Sequence, residues 1–202
     1  MSTTTLGDGN ISFNNAGVDW GTQSTALYIK TAYLALSGTS VTFNSSNTSI
    51  GSASLTPVKR VIISFNEVSL SGTDNILVQI GDSTNSRYTT GYVSTGIRVA
   101  ATTAGGNSTT GFIISSAATS QTFSGHMELN FSGIAHENCV SSYHGKLATT
   151  LTSFGAGHMT MSGNLKALTI ASSGTNTFDG GSVSIIYICL LYTSPSPRDL
   201  ST

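Results

Sequence analysis

The feature that most constrains the fold is a period-two alternation of apolar and polar residues, recurring in short runs separated by Gly, Asn, Asp and Ser. In Val58 to Val68, the side chains of Val61, Ile63 and Phe65 fall on one face of an extended segment, while Arg60, Ser64 and Asn66 fall on the other. That is the pattern of a strand with one face in a core. Burying the apolar trio contributes about 1.5 to 3 kcal/mol per side chain, before the entropy of ordering is counted. The same arithmetic turns inward Ile76, Val78 and Ile80, then Phe112 and Ile114, then Met127, Leu129 and Phe131. It continues with Met159 and Met161, Leu168 and Ile170, and Val183, Ile185 and Tyr187. Between these runs lie turn signals at Ser71-Gly72-Thr73-Asp74-Asn75, Ala104-Gly105-Gly106-Asn107, Ser173-Gly174-Thr175-Asn176 and Asp179-Gly180-Gly181.

Windows that keep apolar residues at helical spacing without Gly or clustered Ser/Thr are scarce. Eight or so short strands predict an all-β chain, a two-sheet antiparallel β-sandwich that is jelly-roll-like, with a closed up-and-down barrel as the structural rival. Ala26 to Leu36 fits either a strand or a short helix, and the strand is favoured. Residues 1–25 read as a loosely structured lead-in with Trp20 as its large anchor, and residues 26–188 as the sandwich domain.

Composition narrows the function. Only 8% of residues are charged, the formal net charge is −1, and Lys59-Arg60 is the one adjacent basic pair. A nucleic-acid partner needs clustered cations to displace phosphate counterions, so none is expected. The 38% apolar content, regularly placed, is that of a chain with a core and not of a disordered one. Met1-Ser-Thr-Thr-Thr-Leu has neither the basic flank nor the apolar run of a secretory signal, and no stretch reaches the length of a membrane span. Synthesis in a cytoplasm and no membrane partner are the expectations.

The constellation worth testing for a metal is His126, Glu128, His136 and Cys139, with His144 or His158 to complete it. His126, Glu128 and Asn130 alternate onto the polar face of one strand, and His136-Glu137-Asn138-Cys139 reads as the turn after it. The same alternation marks any solvent-facing strand, so a surface or subunit-contact role is favoured and no metal or cofactor is expected. Cys139 reads as a small buried hydrophobe. His126-Met127-Glu128 starts like a zinc deaminase signature, but no Pro-Cys-x-x-Cys follows. There is no nucleophile elbow, phosphate loop or dinucleotide fingerprint. Three Glu and a few Asp leave little from which to build a glycosidase pair. Asp74 and Asp82 sit where turns favour Asp in any case. No enzyme activity is expected; a polysaccharide hydrolase is the remote alternative.

From Val58 onward, VKRVIISFNEVSLSGTDNILVQIGD, then Thr89-Thr90-Gly91-Tyr92, Thr109-Thr110-Gly111-Phe112 and MSGNLKALTIASSGTNTFDGGSVSIIY (Met161 to Tyr187) resemble a C-terminal β domain of phage and prophage tail-fibre-like virion proteins. Members of that family end in a Thr-Phe-Asp, Gly, Ser-x-x-Ile-x-Tyr pattern, matched by Thr177-Phe178-Asp179 and Ser182 to Tyr187. Ile11-Ser12-Phe13 and Gly21 to Ala26 resemble the phrasing of trimeric phage fibre repeats, which would make residues 1–25 an attachment or trimerisation segment. The resemblance implies a virion protein acting in assembly or host adsorption, a homo-oligomer with the trimer favoured, and other virion proteins as partners.

Residues 189–199, CLLYTSPSPRD, resemble an in-frame translation of the transposon end and read adapter used in tagmentation sequencing libraries. Such read-through arises in fragments assembled from bulk environmental DNA. Residues 189–202 are accordingly expected to be an artefactual loose tail, with the closing strand ending near Tyr187 or Ile188. Setting that tail aside leaves Cys139 without a disulfide partner. The other role weighed is a lectin-like module for a bacterial surface glycan, with Trp20, Tyr28, Tyr33, Tyr88, Tyr92 and Tyr143 as candidate stacking rings.

Overall fold

The computed structural model describes residues 26–44, 58–82, 86–99, 103–115, 121–133 and 137–190. The lead-in 1–25, including Trp20, and residues 191–202 lie outside the described residues, as does His136.

Among the described residues there is no helix, and thirteen strands form two antiparallel sheets. In chain order they are β1 (Ala26–Lys30), β2 (Leu34–Ala35), β3 (Ser40–Asn44), β4 (Val58–Leu70), β5 (Ile76–Gly81), β6 (Val93–Val99) and β7 (Thr103–Ser108). They continue with β8 (Phe112–Ile114), β9 (Phe123–Ser132), β10 (Asn138–Ala148), β11 (Leu151–Thr160), β12 (Ala167–Ser172) and β13 (Phe178–Leu190). The larger sheet runs β1-β13-β4-β9-β10-β11-β6-β7, with β2 also on β13, and the smaller runs β3-β12-β5-β8.

Setting aside β2, β6, β7, β10 and β11 leaves eight strands, which pair first with last, second with seventh, third with sixth and fourth with fifth. That is a long antiparallel hairpin wrapped into two four-stranded sheets, β1-β13-β4-β9 and β3-β12-β5-β8: a jelly roll. The sandwich read from the sequence is therefore the architecture. Two hairpins are added to the roll. β6–β7 leaves between β5 and β8, β10–β11 leaves between β9 and β12, and both join the larger sheet beside β9 as a four-strand wing.

The core lies between the sheets and takes Val61, Ile63 and Phe65 from β4, Met127, Leu129 and Phe131 from β9, and Val183, Ile185 and Tyr187 from β13. From the smaller sheet it takes Ile76, Val78 and Ile80 and, across from them, Leu168 and Ile170. These are the inward positions that alternation selects. β5 departs from alternation, because all six of its residues are buried. The turn before β8 explains part of this: Gln79 Nε2 donates to Thr110 O at 2.7 Å, and Gly111 lies against Leu77 and Gln79 on the face away from the core.

Three local expectations are corrected. Ala104 to Asn107, read as a turn, is the body of edge strand β7, paired with β6 from Ser94↔Ser108 to Val99↔Thr103. Asp179-Gly180-Gly181, also read as a turn, is a bulged start of β13, where the register against β4 shifts on both sides of Gly180. Gly181 there has φ +86, in the left-handed region that favours glycine. Asn138 and Cys139, placed in a turn after β9, already belong to β10. At the other end of the chain, β13 continues two residues beyond Ile188, with Cys189 opposite Leu27 and Leu190 opposite Ala26.

Candidate functional site

The wing carries the surface that needs a functional account. Its inner face is closed by small residues and a hydroxyl network. Gly155 and Gly157 on β11 lie against the ring of Tyr143 and against Phe112, positions where a Cβ would come within 2.4 and 2.8 Å of ring atoms. Tyr143 and Ser153 then fasten β8 beneath the wing. The Tyr143 hydroxyl accepts from Ser115 N at 3.1 Å and lies 3.0 Å from Ser153 Oγ, which is within reach of Ile97 O and Ser115 O. Period two then turns Val93 and Ile97 of β6, Val140 of β10 and Phe154 of β11 outward, while Tyr143, Leu147 and Met159 face the core.

Cross-strand register orders that outer face into rows. One row reads Val93, His158, Val140 and Asn130; the next Thr95, Ala156, Ser142 and Glu128; the third Ile97, Phe154, His144, His126 and Ser64. Val93 is 71% exposed, Val140 51% and Phe154 46%. Neighbouring strands stand about 4.8 Å apart, so Ile97 stands beside Phe154, while His158 lies between Val93 and Val140 and the row of Thr95, Ala156 and Ser142 lies between the two apolar rows. A shallow open hollow of about 570 Å³ lies on the face, bordered by Val93, Thr95, Ile97, Phe154, Ala156 and His158. Sequence reading singled out none of Val93, Val140 or Phe154.

The candidate metal set weighed from the sequence divides between the two faces of the sheet. His126 and Glu128 are on the outer face of β9, whereas Cys139 is fully buried in the core, opposite Phe131 and Met159. Burial pushes the Cys139 thiol well above its ordinary value, which keeps it protonated. His136 lies outside the described residues, and His158 is on β11 facing Val93 and Val140. Glu128 accepts an ion-paired hydrogen bond from Arg60 Nη2 across β4 and β9. What the structure does bring together is His126 and His144, directly opposite on β9 and β10, with ring centroids 4.0 Å apart and planes at 72°. Among the described residues, no three His, Cys, Asp or Glu side chains gather into a metal set.

The aromatic candidates also divide. Tyr92 and Tyr143 are core residues; Tyr92 packs edge-on to Phe112 at 5.0 Å and donates toward Ile80 O, and burial raises its phenol well above the usual value. Tyr33 is exposed and Tyr88 half-buried; nothing is described for the side chain of Tyr28. The Tyr88 hydroxyl donates to Asp82 Oδ2 at 2.6 Å and accepts from Ser162 N at 3.0 Å. Ser162 Oγ also donates to Asp82, and these hydroxyls hold that carboxyl below its ordinary pKa, Ser162 contributing most. This cluster ties the end of β5 to the segment after β11 and is a structural latch. Comparison of the chain with protein-family models, curated proteins and solved structures returns no match.

Proposed function

We propose that the chain is a non-enzymatic structural module of a phage virion, a tail-fibre-type appendage domain that acts in assembly and host adsorption as a homotrimer beside other virion proteins. The observation that supports this best is the outer face of the wing. Val93, Val140 and Phe154 stand in water with half-buried Ile97 beside Phe154, interspersed with Thr95, Ser142 and Ala156, and the charged groups Arg60, Glu128 and Lys146 lie toward the margins. Such a face gains by being covered: each Å² of apolar surface removed from water is worth about 25 cal/mol. A further copy of a chain with almost no net charge meets little electrostatic resistance. The wing is an addition to the eight-stranded roll, which is where one scaffold acquires its particular role. The resemblance of Val58 to Tyr187 to phage β domains supports the virion assignment, and jelly rolls are a fold of viral shells. Synthesis is in the bacterial cytoplasm, before incorporation into the particle.

Peptide mass spectrometry of gradient-purified particles tests the assignment. The chain is expected as a stoichiometric component that co-sediments with particles. Recovery only in the soluble fraction of the lysate counts against it.

A glycan-binding role is the second reading, and Phe154 favours it. Its ring stands half in water at the edge of an open hollow beside Thr95 and His158, where a sugar CH face can stack and its hydroxyls find partners. A bacterial glycan array on which the chain and its Phe154→Ala variant give the same signal removes this role and leaves the structural one intact.

A further inference from the structure

Beyond Phe154 in the third row of the outer face stands a pair of side chains with a chemistry of its own. β9 and β10 set His126 and His144 directly opposite each other, half-buried and exposed respectively, with ring centroids 4.0 Å apart. We propose that these two imidazoles form a bidentate site for a divalent transition-metal ion of the zinc, nickel or copper class.

Imidazole nitrogens bind such ions at about 2.0 to 2.1 Å, so two nitrogens sharing one ion lie about 3 Å apart. Rings already in edge contact reach that separation by turning about their side-chain bonds, with no movement of the backbone. The backbone is well fixed, because β9 is flanked by β4 and β10, and β10 by β9 and β11, and the β9–β10 register that sets the two rings opposite each other is unbroken from Asn138↔Ser132 to Lys146↔Ser124. Two ligands held in place lose little freedom on binding, and that preorganisation is what turns two weak ligands into a chelate. The chemistry of the pair selects the ion. Imidazole suits zinc, nickel and copper, whereas calcium and magnesium require oxygen ligands. In the same row, Ser64 lies beyond His126 and Phe154 beyond His144, while Glu128 in the next row is engaged by Arg60. Two protein ligands therefore leave coordination positions for water or for a donor group brought by another molecule. Of the candidate set weighed from the sequence, the site keeps His126 and His144 and leaves out Glu128 and Cys139. It rests on the register of β9 against β10 and is independent of the assembly reading.

Calorimetric titration of the untagged full chain with Ni²⁺ is the test. The expected result is one ion per chain, with His126→Ala and His144→Ala each weakening binding by about 100-fold, the scale on which a second tethered ligand adds to the first. The double variant, which keeps neither ring, is expected to bind more weakly than either single one, which still offers one imidazole to the ion. His158→Ala, on the same face but opposite Val93 and Val140, is expected to leave the affinity unchanged. Acidification is expected to weaken binding as protons compete for the imidazole nitrogens. Circular dichroism of each variant separates loss of ligand from loss of fold; His144, being exposed, is the position at which alanine disturbs packing least. Absence of a single-ion isotherm in the wild type, wild-type affinity in the double variant, or an equal loss in His158→Ala would overturn the proposal.

Discussion

The Tyr143 hydroxyl lies 3.0 Å from Ser153 Oγ in the buried layer between the wing and β8, and the two residues together join β10, β11, β6 and the end of β8. Removing the hydroxyl leaves the Ser115 N–H buried without its acceptor at 3.1 Å. An unmade buried hydrogen bond costs about 1 to 3 kcal/mol, so Tyr143→Phe is expected to lower unfolding stability by that amount in urea. Ser153→Ala should cost a similar amount, and the double variant less than the sum, because both belong to one network. Additive losses would mean that the network is not shared.

Gly181 and Gly38 both have positive φ, +86 and +66, yet their surroundings differ. A Cβ at Gly181 would lie 2.4 Å from the Val68 Cα, against backbone that cannot yield, while a Cβ at Gly38 meets nothing within 4 Å. Gly38→Ala is expected to cost about 1 to 2 kcal/mol from backbone conformation alone. Gly181→Ala adds overpacking at the bulge and should cost about 3 kcal/mol or more. Equal midpoint shifts in the two variants would contradict the bulge geometry.

These two positions show what was legible in the sequence and what was not. Alternation reports a strand with one wet face, so Val61, Ile63 and Phe65 could be placed in the core directly. It is silent for β7, whose Gly105 and Gly106 are extended only because β6 pairs with them, and for the second face of β5, where Leu77 and Gln79 are buried as well. Asp179-Gly180-Gly181 has the composition of a turn, and the need for positive φ at Gly181 is met, but long-range pairing with β4 carries the strand through it as a bulge. The candidate site was less readable for the same reason. Whether His126 faces His144, and whether Cys139 points into the core or away from it, depends on cross-strand register, which a one-residue slip would invert.

Asp82 makes stability depend on acid in a defined direction. Hydrogen bonds from Ser162 and Tyr88 depress its pKa in the folded chain. A depressed carboxyl contributes stability that is complete above its unfolded-state pKa and is lost as pH falls through the folded one. Asp82→Asn is expected to lower the Tm near neutral pH, with the difference from wild type shrinking as pH drops below about 4. A difference that stays constant from neutral pH to below about 3 would show that the latch does not depend on the ionised carboxylate.

The exposed face of the wing is the centre of the account, and size-exclusion chromatography with light scattering of the full chain tests it most directly. Wild type is expected at three times the chain mass. Val93→Ser with Phe154→Ser, both outward and exposed, is expected to retain the β-sheet circular dichroism while shifting the particle to the monomer mass. A monomeric wild-type chain at high concentration, or a trimer unchanged by the two substitutions, would contradict assembly through this face.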